Sequence, residues 1–219
     1  MDPKELKRIR IAKRIAQELP DGALVNLGIG MPTLVGNHIP PGRTIILQSE
    51  NGFTGLGPAP EKGKENPSIV NAGGQPVTII PGGAFFDSAM SFAIIRGGHV
   101  DYTVLGALEV DMAGNLASYM IPGKMVPGMG GAMDLVAGAK NVIIAMEHVN
   151  KNGAPKILRK CSLPLTAVGE VDLIVTEMAF IRVTKKGLVL EEIAEDTTVE
   201  EVIKATEAPL QVAGKLGRF

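Results

Sequence analysis

A single cysteine, Cys161, and the complete lack of tryptophan set the first bounds on this 219-residue chain. One thiol cannot close an internal disulfide, which fits a reducing compartment. Aromatic residues make up only 4% of the sequence, too few for the stacking platforms that single-stranded nucleic acids require. Neither sign of charge is in excess, with Lys+Arg 22 against Asp+Glu 23. That balance leaves no electrostatic footprint for nucleic acid or for an anionic membrane. His38, His99 and His148 lie far apart without metal-ligand spacing, so no metal site is expected. No apolar run approaches a membrane span, and residues 1–14 are too charged for a signal peptide. These absences together predict a cytoplasmic protein, and the length suits one domain over residues 1–219.

What the chain has in quantity is backbone punctuation, Gly 27 and Pro 15. Such counts imply many tight turns and places where backbone approaches something closely. Between the turns, Asp2-Pro3-Lys4-Glu5 reads as a helix start with a capping-box pattern. Leu6, Ile9, Ala12, Ile15, Ala16 and Leu19 continue it at helical spacing. Strands are predicted over 23–27, 44–47, 77–80, 102–105, 142–146, 173–176 and 180–183. Helices are predicted after the turn at 28–33, over 85–95 and over 199–206. Strands that are apolar without alternation and interleave with helices predict an α/β fold with a largely parallel sheet, covered by helices on both faces.

Four features can carry chemistry. The first is Leu47-Gln48-Ser49-Glu50-Asn51-Gly52, where one carboxylate stands between a buried strand and an Asn-Gly turn. Strand ends in open α/β sheets collect ligands, so Glu50 is a candidate nucleophile, although an isolated Glu in a turn is more often simply solvated. The second is Gly28-Ile29-Gly30-Met31-Pro32-Thr33, which follows a strand and opens a helix. Thr33 stands where a dinucleotide fingerprint needs its third glycine, so a tight turn competes with contacts from Asn26 and the glycine amides to a polar ligand. The third is Gly128-Met129-Gly130-Gly131, a loop able to aim successive N–H groups at an oxyanion, or merely to turn. The fourth is Met112, Met120, Met125, Met129 and Met133, which fit no helical stripe. They read as core filling, an acyl pocket or a subunit interface. His99 and Cys161 have no visible partner and read as structural, and Glu147-His148 ranks as a lesser site pair.

These segments carry a family resemblance. Asn26-Leu27-Gly28-Ile29-Gly30-Met31-Pro32-Thr33, Gln48-Ser49-Glu50-Asn51-Gly52, Asp87-Ser88-Ala89-Met90-Ser91-Phe92-Ala93, Ile95-Arg96-Gly97-Gly98-His99, Ile121-Pro122-Gly123-Lys124-Met125 and Gly128 to Val136 span nearly the full length. Together they resemble the beta subunit of the family I coenzyme A transferases, the 3-oxoacid CoA-transferases. Thr54 departs from the family, which usually keeps a second apolar residue after Asn-Gly. The resemblance implies that Glu50 forms a glutamyl-CoA thioester, that amides of Gly130 and Gly131 stabilise the oxyanions, and that Asn26, Gly28 and Gly30 contact coenzyme A. It implies acyl-CoA and short-chain carboxylic acids as substrates, no tightly bound cofactor, and an alpha subunit as partner. Succinate-using members often carry Lys at the positions of Gly74 and Pro127. This chain is more similar to the acetate- and butyrate-using acetoacetate transferases, with a succinyl-CoA:3-oxoacid transferase as the alternative. Two further readings stand beside transfer: an acyl-CoA hydrolase, in which water takes the acyl group, and a non-catalytic binding module of the sugar-phosphate isomerase-like type.

Overall fold

The computed structural model describes residues 2–124, 126 and 128–219, so Met125 and Pro127 of the segments above lie outside the described residues. The first half of the chain runs α1 (Pro3–Glu18), β1 (Leu24–Leu27), a 3-10 helix (Met31–His38), β2 (Ile46–Ser49), β3 (Phe53–Leu56), β4 (Ile79–Phe85), α2 (Ser88–Arg96) and β5 (Tyr102–Leu105). After it come β6 (Glu109–Asp111), β7 (Leu116–Ala117), α3 (Ala132–Gly138), β8 (Val142–Ala145), β9 (Ile157–Leu158), β10 (Leu173–Val175), β11 (Ala179–Thr184), β12 (Gly187–Ile193), α4 (Val199–Ala205) and β13 (Leu210–Arg218).

Ten strands form one sheet in the order β13-β12-β11-β10-β8-β5-β1-β2-β3-β4, and β7-β6-β9 form a small second one. The expected parallel sheet is its centre: β10, β8, β5, β1 and β2 all pair in parallel. Antiparallel partners extend it at both sides, β3 and β4 beyond β2, and β11 and β12 beyond β10. Helices bury their apolar faces on either side. Ile11 and Ile15 of α1 and Leu19 just after it, with Val35 of the 3-10 helix, pack on Val25, Val104, Ile143 and Val175. On the opposite face Ile95 of α2, Leu135 and Val136 of α3 and Val202 of α4 pack on Leu105, Val142, Ile144 and Ile174.

Several local expectations are corrected. Asp2 caps α1 alone, accepting from the Lys4 amide at 3.2 Å, and Leu6 in the first turn is 52% exposed. The reciprocal capping box occurs at α4, between Thr198 and Glu201. The second strand begins two residues later than expected, because Thr44 is held by the turn that precedes β1: its amide donates to Asp21 Oδ1 and its carbonyl accepts from Gly22. The segment after Gly30 is a 3-10 helix. The strand predicted at 77–80 runs instead to Phe85, and α2 starts later, at Ser88, where Asp87 accepts from the Met90 amide at 2.8 Å. Arg14 lies on the buried face of α1. Its guanidinium stacks 4.0 Å from the Phe180 ring centroid and its Nε donates to Glu192 at 2.7 Å, so the charge is both paired and covered.

Candidate active site at the end of the central strands

From β1 the chain passes to β2 on one side through the 3-10 helix, and the following α2 returns it to β5 on the other side of β1. This reversal leaves a crevice beyond the C-terminal ends of β1, β2 and β5, where open α/β sheets bind ligands. A cleft of about 1220 Å³ occupies that place. Leu27 and Gly28 at the end of β1, Ser49 and Glu50 at the end of β2, and Leu105, Gly106 and Ala107 at the end of β5 all line it.

Glu50 is the first residue of the turn joining β2 to β3, and the turn's geometry fixes it. The Gly52 amide donates to Ser49 O at 3.0 Å and Gly52 O accepts from the Phe86 amide at 2.9 Å. Gly52 has φ +125°, and a Cβ there would fall on Phe86 O, so only glycine closes this hairpin. Asn51 turns outward, its Nδ2 donating to Val70 O at 2.8 Å, while Ser49 Oγ accepts from the Ala72 amide at 3.1 Å.

The loop entering α3 meets the Glu50 carboxylate. Gly131 is the residue before the first turn of that helix, with φ −82° and ψ 5°, a conformation open to any residue. Its lack of a side chain has another reason: a Cβ would overlap Glu50 Oε2 and come within 2.9 Å of Cδ. The Glu50 carboxylate lies directly against the Gly131 backbone, whose amide favours its ionised form, and Gly130, at φ +51°, lies beside it. Burial pushes the Glu50 carboxyl above its usual range; the Gly131 hydrogen bond opposes this, and Asp134 on α3 adds to the rise. Asp134 is itself paired with Arg96 of α2 at 2.6 Å, which ties α3 to α2.

Asn26, Gly28, Glu50, Gly130 and Gly131 thus share one cleft wall, and Gly30 is not among its lining residues. Gly28 also has a structural reason to be glycine. Its amide donates to Val104 O at 2.8 Å, and a Cβ would stand 3.0 Å from that oxygen. Asn26 is buried with Gln48, a residue that the sequence places in the Glu50 motif without giving it a role. The methionines divide: Met112 packs on the core, Met129 lines the cleft and Met133 is 39% exposed.

The lesser candidates separate from the site. His148 is fully buried, with Nδ1 2.8 Å from Thr176 Oγ1 and Nε2 2.8 Å from Thr206 Oγ1. Thr206 donates its proton to Val202 O at 2.7 Å, so Nε2 carries the ring proton and Nδ1 accepts from Thr176. Burial lowers the pKa of this imidazole to about 4, and it is a satisfied core histidine. The Cys161 thiol is pushed up to about 12 by burial and by Asp111 and Glu109, so it is a poor nucleophile. Among the described residues no cluster of three His, Cys, Asp or Glu could hold a metal ion, and no helix is long and apolar enough to cross a membrane.

Comparison with known proteins gives the same direction. The model of the family described as coenzyme A transferase matches residues 8–205. The chain is 56% identical over 216 residues to the beta subunit of an acetate CoA-transferase of Escherichia coli K12, covering 99% of this chain and 97% of that one. It is 52% identical over 206 residues to one subunit of a probable succinyl-CoA:3-ketoacid coenzyme A transferase of Bacillus subtilis, covering 94% and 95%. Among solved structures, an acyl-CoA transferase apoenzyme from Escherichia coli O157:H7 superposes with TM-score 0.78 at 22% identity. That match covers 97% of this chain and 43% of the longer one, so the fold described here corresponds to less than half of that polypeptide.

Proposed function

Because the chain belongs to the coenzyme A transferase family, we propose that it is the nucleophile-bearing subunit of a two-subunit CoA-transferase, with Glu50 as the residue that becomes acylated. The observation that carries this reading is the Glu50 carboxylate held against the Gly131 amide at the wall of a large cleft. One carboxylate oxygen attacks the acyl-CoA carbonyl carbon, the C–S bond breaks, and a mixed anhydride and the CoA thiolate result. The thiolate then attacks Glu50 Cδ. The Cδ–O bond to the acyl group breaks, the first acid leaves with one Glu50 oxygen, and a glutamyl-CoA thioester remains. A second carboxylate reverses both steps.

Each attack places negative charge on an oxygen that needs a preorganised donor, and removing one such donor typically costs about 10²–10³-fold in rate. The Gly131 amide, whose backbone lies against the carboxylate, serves the intermediate formed at Glu50 Cδ. The nucleophile must be ionised, so the scheme uses no general base, in keeping with a cleft wall that presents no His or Cys among the described residues. The number of thioester bonds is conserved over the complete transfer, and the reading assigns the chain no tightly bound cofactor. Coenzyme A is a substrate.

Acetate or butyrate, with acetoacetate, is the acid pair we favour over succinate. Besides Glu50, the only charged residue on the described cleft wall is Arg43, whose Nη1 donates to Gln17 O at 2.7 Å and Leu19 O at 2.8 Å. Arg96 is committed to Asp134. A second carboxylate would find only Arg43, already engaged through Nη1 with two carbonyls, so its desolvation would be at most partly offset and would cost up to several kcal/mol. Measured with acetoacetyl-CoA, kcat/KM for succinate is expected to fall below both acetate and butyrate; a succinate value at or above them reverses the assignment of the acid pair.

The covalent scheme is tested with the complex of this chain and its alpha subunit. Incubation with acyl-CoA and no acceptor, followed by borohydride, is expected to inactivate the enzyme and change the mass of the peptide carrying Ser49 to Gly52. Adduct on Cys161, or net CoA release without acid exchange, would replace transfer through Glu50 with another mechanism. The chain by itself is expected to be nearly inactive, and full turnover without the alpha subunit would remove the need for one.

A further inference from the structure

Asn26 and Gln48 are register partners in the parallel pair β1–β2, so their side chains stand side by side on the same face of the sheet. Asn26 is 3% exposed, Gln48 is 3% exposed, and Ser91 of α2, which covers them, is 0% exposed. The orientation of all three follows from one atom. Asn26 Nδ2 faces the backbone carbonyl of Gln48 at 3.3 Å. A carbonyl oxygen only accepts, so the Asn26 atom beside it is the NH2 group and not the oxygen. Its second N–H goes to Gln48 Oε1. That assignment turns the Gln48 NH2 the other way, where Nε2 donates to Ser91 Oγ at 2.9 Å. Reversing the Gln48 amide alone would set two NH2 groups against each other in a buried place.

Both donors of Asn26 are thereby engaged. Its Oδ1 accepts from no described residue and is not among the buried orphan atoms, while Asn26 lines the cleft. On the other flank Thr103, the β5 register partner of Asn26, offers no substitute support: its hydroxyl is buried and has no partner among the described residues.

We infer that Gln48 and Ser91 are positioning residues, a relay that locks the Asn26 amide with its carbonyl oxygen presented to the cleft, so that this point of the wall accepts an N–H donor from the substrate. Resting on the CoA-transferase reading, the donor class is the secondary amide, of which the pantetheine arm of coenzyme A has two. A substrate carbonyl offered at the same point would meet oxygen with oxygen. The relay thus selects which face of a pantetheine amide can turn toward β1, and so fixes the rotation of the arm before the thioester reaches Glu50.

The test uses the complex with the alpha subunit and two acyl donors: acyl-CoA, and the same acyl group on methyl 3-mercaptopropionate, a thiol without amide groups. Gln48→Met keeps the volume and removes both side-chain hydrogen bonds of residue 48, leaving only the backbone carbonyl that Asn26 also meets. It is expected to lower kcat/KM for acyl-CoA by about tenfold, the contribution of one hydrogen bond, mainly through KM. With the amide-free donor kcat/KM should stay within about threefold, since that substrate never used the bond. Ser91→Ala, which leaves the Asn26–Gln48 contact intact, should show the same discrimination more weakly, and Ser91→Thr should restore it. Equal losses with both donors, or loss with neither, in variants that melt like the parent overturn the relay. A parent complex that transfers CoA but does not prefer acyl-CoA over the amide-free thioester overturns it too. A parent that transfers no CoA at all overturns the transferase reading first, and the relay's role with it.

Discussion

Replacing Gly131 by alanine is the sharpest perturbation of the site, because it adds one methyl group and changes nothing else the fold depends on. The backbone at φ −82° and ψ 5° accepts alanine without strain. The new Cβ would nevertheless overlap Glu50 Oε2, lie 2.9 Å from Cδ and lie 3.3 Å from Oε1. Carbon and oxygen need roughly a further 1 Å to reach ordinary contact distances, so either the carboxylate swings away or the start of α3 withdraws. Both routes separate the Gly131 amide from the carboxylate. Misplacement of about 1 Å costs about a hundredfold in rate, or about 2.7 kcal/mol of barrier. Alanine in place of glycine before a helix costs at most about 1 kcal/mol of stability, a shift of about 2–4 °C in Tm for a chain of this size. The expected result is therefore kcat down about a hundredfold with a nearly unchanged melting curve. Steady-state transfer, borohydride trapping at Glu50 and calorimetry on the same preparation check it. Transfer within about threefold of the parent would refute the claim that Gly131 is glycine for the sake of Glu50.

Glu50→Gln should abolish transfer yet melt at a higher temperature than the parent at pH 7. The folded-state pKa of Glu50 is raised, so its stabilising effect is complete below the unfolded value and is lost as pH rises through the folded one; a neutral amide escapes that loss, and an unchanged or lower Tm at pH 7 would contradict it. Transfer by the parent should fall on the acid side with an apparent pKa above the ordinary glutamate value, which a kcat/KM profile against pH reads directly. His148, with a pKa lowered from 6.5 to about 4, binds its proton in the unfolded chain first, so stability should decline as pH drops from 6.5 toward 4. His148→Gln should flatten that part of the Tm profile, and a slope equal to the parent's would assign the acid sensitivity elsewhere. Native protein at pH 8 should resist alkylation at Cys161 until unfolded, since its thiol is pushed up to about 12; fast labelling with iodoacetamide would show an accessible thiolate.

The parallel centre was legible because its strands are short apolar runs: the expected 102–105 and the observed Tyr102–Leu105 coincide. Runs of that kind signal burial on both faces, which is what the centre of a helix-covered sheet provides. The edges were not legible for the converse reason. Much of β13 faces solvent along Leu210–Arg218, and Gly214 and Gly217 interrupt it, so its pairing with β12 is set by tertiary contact and not by pattern. A missed signal lay at Asn51-Gly52: read as a turn only, it is the connection of a two-stranded hairpin, and β3 follows it at once. For the site, Glu50 could be located from its strand and turn. Its pairing with Gly131 came only from the family resemblance and not from local pattern, since the two meet only when α3 packs against α2 and β5. The glycines of the 128–131 loop also hid the start of α3, whose buried Leu135 and Val136 are too short a pattern to declare a helix.

Burial does not distinguish between ways of removing the charge on Glu50. The half-buried seat that raises its pKa penalises the anion, whether a proton or a covalent partner discharges it. A glutamyl thioester carries no charge, so its formation is relieved of the same penalty that favours protonation. The elevated pKa is in this sense an index of how strongly the pocket favours capture, and substitutions that let water reach Glu50 should shift the balance of the trapped intermediate back toward free acyl-CoA even where the attacking oxygen keeps its position.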